Sequence, residues 1–330
     1  VLNNVSEPIT AKDEKLLKRI AITAMTGKGA ESNKECLSNL ITKAVKQISE
    51  DSKEINPDNI KIEKKVGGGI ENSELIKGLL IDKECIHPSM PKKIENAKIV
   101  LLDTPIEMKT TEIDAKIQIN TPDQMESFIK KEEEIIKGIT EKIIFTNANV
   151  IFCQKGVDDL AQFYLAKAGI YVTRRVKKSD IEKLARATGA NIVTNIDTLT
   201  KEDLGKAGIV EEKKIGDEEM TYVKECKNPK AVTLLLKGGT DHVIDEVERA
   251  VKDSIGDVIS ALKTNKVVGG AGAPEIELAR NLRLYSNKLS GREQLAVMAF
   301  ADAVEIIPRT LAENAGLDPI DVLTALKSQH

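Results

Sequence analysis

The sequence predicts a multidomain α and α/β protein in which helical outer segments, 1 to 50 and 241 to 330, enclose an inserted α/β module. Three observations predict it. The chain has 330 residues, room for about two or three domains that each bury a core. Both ends carry apolar residues at helical spacing. Between Ile60 and Gly238, short β-rich runs alternate with helical runs, the pattern of an α/β domain.

Taken in order, KDEKLLKRIAITAM (12 to 25) places Leu16, Leu17, Ile20, Ile22 and Met25 at mostly helical spacing and stops at TGKGAES. Asn33 to Ser49 repeats the pattern with Leu37, Leu40, Ile41, Ala44, Val45 and Ile48, so a pair of helices flanks the GKG turn. IKIEKKVGGGI, LIKGLLID and AKIVLLD then read as strands and turns. NVIFCQ, YVTRRV, NIVTN and AVTLLLKG add further strands, separated by the helical runs DDLAQFYLAKAG and SDIEKLARATGA. Inside this module, NTPDQMESFIKKEEEIIKGITEKI starts a helix: Thr121 with Gln124 forms a capping box and Pro122 sits at the first helical position. Met125, Phe128, Ile129, Ile136, Ile139 and Ile143 line one side of it. Such a helix either packs on its own domain or stands out as an arm that meets a partner. After Gly239 the pattern is helical throughout: 241 to 264 is one long amphipathic helix, Ser290-Gly-Arg-Glu293 caps another, and Pro308 and Gly316 punctuate the remainder.

Composition excludes several classes. Lys and Arg number 49 against 52 Asp and Glu, a formal charge of -3, which argues against a nucleic-acid binder running on a large positive field. Cys36, Cys85, Cys153 and Cys226 are scattered without CxxC spacing, and His87, His242 and His330 have no acid or cysteine at ligand spacing. Neither a zinc site nor a disulfide framework is expected, and a reducing cytoplasm fits the thiols. No apolar run reaches about 18 residues, and the first twenty residues lack a signal-peptide core. These features predict a soluble, cytoplasmic protein without membrane partners. The first residue is Val, which suggests a processed or truncated chain.

Three places carry candidate chemistry. On the 241 to 264 helix, Val247, Ala250, Val251, Ile255, Val258 and Leu262 form a buried stripe, and Glu246, Asp253 and Asp257 fall along one border of it. A carboxylate there either faces solvent, or orders an attacking water or completes a metal shell, as phosphoryl transfer requires. Gly27-Lys28-Gly29 is either an ordinary solvated turn or a phosphate-facing one with a point charge at a helix mouth. Gly269-Gly270-Ala271-Gly272, followed by Pro274 and Glu275 opening a helix, has the grammar of a phosphate-facing turn, yet matches neither GxxxxGK[ST] nor GxGxxG. Tight helix packing would use those glycines equally well.

The strings RIAITAMTGKGAE, GGIENSELIKGLLIDKE, HPSMPKKIENAKIVLLD, VIFCQKGVDDLAQFYLAKAGIYVTRRVKKSDIEKLARATGA, KGGTDHVIDEVERAVKDSIGDV, GGAGAPEIELA and SGREQLAVMAFADAVEIIPRTLAENAGLDPIDVL resemble the archaeal group II chaperonins, the thermosome family. The similarity runs essentially end to end. It implies an ATP-driven folding-chamber subunit with an equatorial remnant at 1–11, intermediate segments at 12–81 and 232–268, an apical domain at 82–231 with a helical protrusion at 117–145, and an equatorial part at 269–330. The implied partners are non-native polypeptides and identical or homologous subunits in two stacked rings. The implied cofactors are ATP and Mg²⁺.

By the same resemblance, Asp253 corresponds to the aspartate that orients the hydrolytic water, and Gly27, Lys28 and Gly29 to a nucleotide-sensing loop. Gly270, Ala271 and Gly272 correspond to a nucleotide-contacting loop that carries three successive glycines in the family. The methyl group of Ala271 is a departure from that pattern. Ile181, Lys183, Leu184 and Arg186, with Met125, Phe128, Ile129 and Ile136 on the protrusion, are the implied substrate-binding residues. The family's LGP and GDGTT phosphate and magnesium motifs do not occur here, so no metal ligand is assigned within these 330 residues. The reading is therefore an ATP-dependent chaperone subunit with weak ATPase activity in its full-length form. The alternative is an ATP-independent polypeptide-binding fragment, which titration with ATP·Mg would separate. A metabolic enzyme is disfavoured because no acid–base pair accompanies the glycine turn.

Overall fold

The computed structural model describes residues 2–49, 55–108, 122–215, 218–227 and 229–329. In chain order the helices and strands are α1 (Leu2–Val5), β1 (Glu7–Pro8), α2 (Glu14–Met25), α3 (Lys34–Ser49), β2 (Ile60–Val66), β3 (Glu74–Ile76), β4 (Gly78–Ile81), β5 (Lys93–Leu102) and α4 (Pro122–Phe145). There follow β6 (Val150–Cys153), α5 (Asp159–Lys167), β7 (Tyr171–Thr173), α6 (Lys178–Thr188), β8 (Ile192–Val193), β9 (Gly205–Ile215), β10 (Glu218–Lys224) and β11 (Val232–Gly238). The last elements are α7 (Asp241–Thr264), β12 (Lys266–Val267), α8 (Ala273–Ser286), α9 (Arg292–Asn314) and α10 (Pro319–Gln329). The chain divides into two units, one of Val1–Leu16 with Ser260–His330 and one of Leu17–Ile259. These divisions fall inside α2 and α7, whereas the sequence placed the outer boundaries at 11/12 and 268/269.

In the larger unit, a seven-stranded mixed sheet has the order β4-β10-β9-β5-β6-β7, with β8 paired to the C-terminal part of β5. It takes in β4, ahead of the expected start at Asp82, because Ile81 to Gly78 pair antiparallel with Thr221 to Lys224. Alternation along β5 explains why both faces are covered. Ile99 and Leu101 face a core with Phe152, Tyr171, Ile181 and Leu184. Val100 and Leu102 face the opposite core with Ile151, Val172, Ile136, Ile143 and Leu165. Thus α6 covers one face, and α4 with α5 covers the other. The buried Tyr171 hydroxyl lies 2.6 Å from Thr221 Oγ1, which itself donates to Lys83 O at 2.6 Å, so Tyr171 is the donor. A three-stranded sheet, β2-β11-β3, pairs β11 parallel to β2 and antiparallel to β3. Leu80, Met220, Tyr222 and Leu235 link the two sheets in one cluster.

The predicted Thr121 cap and the first residues of the 117–145 protrusion lie outside the described residues. From Pro122 onward, the two readings of this helix each hold for part of its length. Met125 and Ile129 are exposed and Phe128 is half-buried, whereas Ile136, Thr140 and Ile143 are buried on the sheet. Ile136 is therefore a core residue, not an accessible substrate contact.

A second correction concerns α6. Ile181 and Leu184 are 1% and 0% exposed and belong to the sheet core; their spacing of three on one helix face aims both inward. Arg186 stays exposed and donates to Asn59, and Lys183 is half-buried. Of the four α6 positions, only the two cations reach the surface.

In the smaller unit, β1 and β12 pair antiparallel, Glu7 opposite Val267 and Pro8 opposite Lys266, and Ile9 N–H donates to Asn265 O at 3.1 Å. Ile276 and Ala279 of α8 and Ala301 and Ala312 of α9 are buried. Arg283 joins these helices by ion pairs to Asp302 at 2.8 Å and to Glu305, which also takes Lys327 of α10 at 3.0 Å. The glycine-rich turn precedes α8. Gly272 has φ +87°, and a Cβ there would lie 2.4 Å from Pro308 Cβ, so tight packing demands this glycine. Gly269 and Gly270 are exposed and meet no such obstacle. Ala271 is exposed too, and the turn accommodates it at φ +57°.

Two predictions follow from this packing. Ile181→Ala or Leu184→Ala should each destabilise the larger unit by ~2–5 kcal/mol in denaturant melts, as core truncations do; unchanged stability with weakened peptide binding would show surface roles. Ala271→Gly should stabilise the smaller unit by ~1 kcal/mol through relief of the left-handed conformation, and Gly272→Ala should destabilise it by at least ~1 kcal/mol. Thermal unfolding of the two variants reads both signs.

Candidate functional site

The stripe expected on α7 is realised: Val247, Ala250, Val251, Ile255, Val258 and Leu262 are all buried. Glu246, Asp253 and Asp257 are exposed along its border. Between Ala250 and Val258, Ser254 is fully buried and donates its hydroxyl to Ala21 O of α2 at 3.2 Å. A buried serine hydroxyl needs such an acceptor, and the bond fixes α2 against α7.

The GKG turn follows from the end of α2. Met25 and Ala30 are fully buried on either side of it. Gly27 turns the chain at φ +75° and donates its N–H to Glu31 Oε2 at 3.2 Å, the left-handed residue with which helices commonly end. Gly29 lies directly against α7, since a Cβ there would sit 2.7 Å from Glu246 Oε2 and 3.1 Å from Glu246 Cβ. The turn is thereby pressed onto one point of the helix. Lys28, one residue earlier, reaches along α7 and places Nζ 2.6 Å from Asp253 Oδ2. Glu246 and Asp253 are seven residues apart, about two helical turns on one face.

The structure therefore brings together two predicted residues separated by 225 positions in sequence. Their side chains are 40% and 51% exposed, so the ion pair contributes only ~0–1 kcal/mol. A pair held this weakly can exchange partners. Lys28 can swing to a phosphate oxygen, which frees Asp253 to accept a hydrogen bond from a water molecule. The turn at Gly270, Ala271 and Gly272 belongs to the other unit, where its first three residues from Gly269 are exposed. Among the described residues no three His, Cys, Asp or Glu side chains converge as metal ligands.

Sequence reasoning missed a buried charge cluster. Lys61 of β2, with its side chain 8% exposed, pairs with Glu63 at 2.8 Å and Asp180 of α6 at 3.0 Å, and donates to Leu80 O at 2.8 Å. It ties the three-stranded sheet to the helix covering the larger sheet. Burial lowers the pKa of neighbouring Lys183, an effect opposed by Asp180. Lys64, three residues further along β2, pairs with Asp245 and Glu248 of α7, both at 2.8 Å. A lysine within the IKIEKKV run gives no sign of burial, because its partners Asp180 and Leu80 are remote in sequence.

The profile of the TCP-1/cpn60 chaperonin family matches residues 1–330. The chain is 59% identical to a thermosome subunit of Methanopyrus kandleri, over 100% of its own length and 61% of that protein. It is 60% identical to thermosome subunit beta of Methanothermobacter thermautotrophicus, over 98% of this chain and 60% of that one. The chain thus spans about three fifths of the length of these curated relatives. A solved structure described as the open-state monomer of a group II chaperonin from Methanococcoides burtonii superposes with a TM-score of 0.75 at 49% identity, covering 100% of this chain and 77% of that chain. With the fold, the inserted sheet and the profile in agreement, the chain belongs to the TCP-1/cpn60 chaperonin family.

Proposed function

We propose that this chain is the substrate-handling and hydrolysis-coupling part of an ATP-dependent chaperone subunit. The observation that carries the reading is the contact of Lys28 Nζ with Asp253 Oδ2 at 2.6 Å, on a turn pressed against α7. ATP, when bound, supplies the transferable γ-phosphoryl group. Lys28 pairs with Asp253 before nucleotide arrives and moves to phosphate afterwards. Asp253 then accepts a hydrogen bond from the attacking water and orients it. In the smaller unit, the turn at Gly270, Ala271 and Gly272, exposed at its first two residues, is a separate candidate nucleotide contact. Because Lys28 follows directly on α2 and Asp253 lies on α7, a change of partner at this pair bears on both helices.

Non-native polypeptide is held by the exposed half of α4, where Met125, Phe128 and Ile129 offer apolar surface, and by Lys183 and Arg186 of α6. A mixed apolar and cationic surface binds unfolded chains without demanding one sequence. Exposed Leu295, Phe300, Ile306 and Ile320 on α9 and α10 support assembly with further polypeptide, as expected of subunits in two stacked rings in the cytoplasm. In the full-length protein, Asp253→Ala should lower ATP turnover by about 10²- to 10⁴-fold while ATP binding, measured by equilibrium titration, stays intact. Hydrolysis at the wild-type rate would overturn the assignment.

A further inference from the structure

The VGGGI segment at 66 to 70 has no role in the reading above, although it concentrates three glycines at the end of β2. Gly67 and Gly68 adopt φ +130° and +83° and are exposed. Gly67 N–H donates to Gly238 O at 2.9 Å, which anchors the turn where β2 and β11 end together. At Gly68 a Cβ would come within 3.1 Å of Asn72 Nδ2, so the glycine leaves the Asn72 amide in place beside the turn.

Beside this turn lies a depression of about 550 Å³, lined by Val66, Gly67, Asn72, Lys213, Lys214, Ile215, Tyr222 and Lys237. Among the described residues, its lining holds three lysines and no carboxylate. Carboxylates stand outside it: Glu211 holds Lys213 at 2.7 Å, Glu74 lies 3.8 Å from Lys237 Nζ, beyond hydrogen-bond distance, and Lys214 also lines a second depression with Asp82, Glu84, Glu218 and Glu219. Lys214 makes no ion pair among the described residues. Tyr222 is 4% exposed, and burial raises its phenol to about 12, with Glu74 and Glu211 adding to the shift. It therefore remains a neutral hydroxyl at physiological pH. The ammonium groups of Lys224 and Lys213 lie 4.4 and 5.9 Å from its ring centre, attracted by the electron-rich face. Beside apolar Val66 and Ile215, the polar part of the wall offers donors from ammonium groups, a phenol and an amide.

We propose that this depression binds a small phosphate oxyanion of several charges. Lys214 and Lys237 neutralise it as point charges, Asn72 donates from its amide, and the glycine turn lets the ligand approach the backbone. The site is separate from Lys28 and Asp253 and does not depend on the function proposed for them. Its ligand is recognised through the phosphates, so a free polyphosphate and the phosphate tail of a nucleotide are the two possible sources.

Calorimetric titration of tripolyphosphate and, separately, of ATP into the 330-residue chain tests this. Tripolyphosphate should bind, and bind more weakly as salt is added. On a Lys28→Ala background, which removes the phosphate contact proposed above, the double variant Lys214→Gln/Lys237→Gln should weaken it by at least about tenfold, while Lys214→Arg/Lys237→Arg retains most of the affinity. All three variants alter exposed or half-exposed side chains, and circular dichroism confirms that each is folded. Competition between ATP and tripolyphosphate that survives Lys28→Ala would identify the nucleotide tail as a source, and its absence would leave free polyphosphate. Undiminished affinity in the Gln double variant on that background, or no tripolyphosphate binding there at all, would overturn the proposal.

Discussion

Helix α7 is the constraint on which the candidate site rests. Its apolar stripe has to be buried, and burying it fixes the rotation of the helix to within a residue. Once Val247, Ala250, Val251 and Val258 are inside, Glu246 and Asp253 have no freedom over which border they occupy. The Ser254 to Ala21 bond then sets α2 alongside, and the end of α2 delivers the GKG turn. Gly29 closes against Glu246 because it lacks a side chain, and Lys28 meets Asp253 as a consequence. The ion pair contributes little stability of its own. Core packing places it, and its exposure makes it exchangeable.

The inserted sheet uses the opposite strategy, burying nearly everything that touches it. Strand β5 alternates Ile99 and Leu101 against Val100 and Leu102, so each face needs its own helical cover. Helix α4 meets that need with its C-terminal half and leaves its N-terminal half unpacked, with Met125 and Ile129 exposed. One amphipathic pattern thus serves a core at one end and offers an interaction surface at the other. The Lys61, Glu63 and Asp180 cluster joins this sheet assembly to β2. Removing one member of a buried ionic cluster leaves an uncompensated charge, which is far costlier than losing an exposed pair.

Much of this was legible in the sequence where local periodicity decides the outcome. The α7 stripe and the alternation of strands with helices both follow from spacing alone. The border position of Asp253 was legible too, but its meeting with Lys28 was not, because the contact depends on how α2 packs. Ile181 and Leu184 show the limit from the other side. Their spacing marks an apolar helix face without saying whether that face meets a sheet or a ligand, and only the position of α6 over Leu101 and Phe152 decides it. Gly272 is similar: its left-handed turn suits a phosphate-facing loop, while the close approach of Pro308 gives it a packing role that no local pattern announces. The extra methyl of Ala271 fits at φ +57°.

The central claim is that Lys28 and Asp253 act as one unit during hydrolysis. Single-turnover ATP hydrolysis by the full-length protein carrying Lys28→Ala, Asp253→Ala or both tests it most directly, because a double-mutant cycle separates coupled from independent roles. The account predicts strong non-additivity, with the double variant hydrolysing ATP no more slowly than Asp253→Ala alone. Losses that simply multiply, or a Lys28→Ala rate equal to that of the wild type, would contradict it.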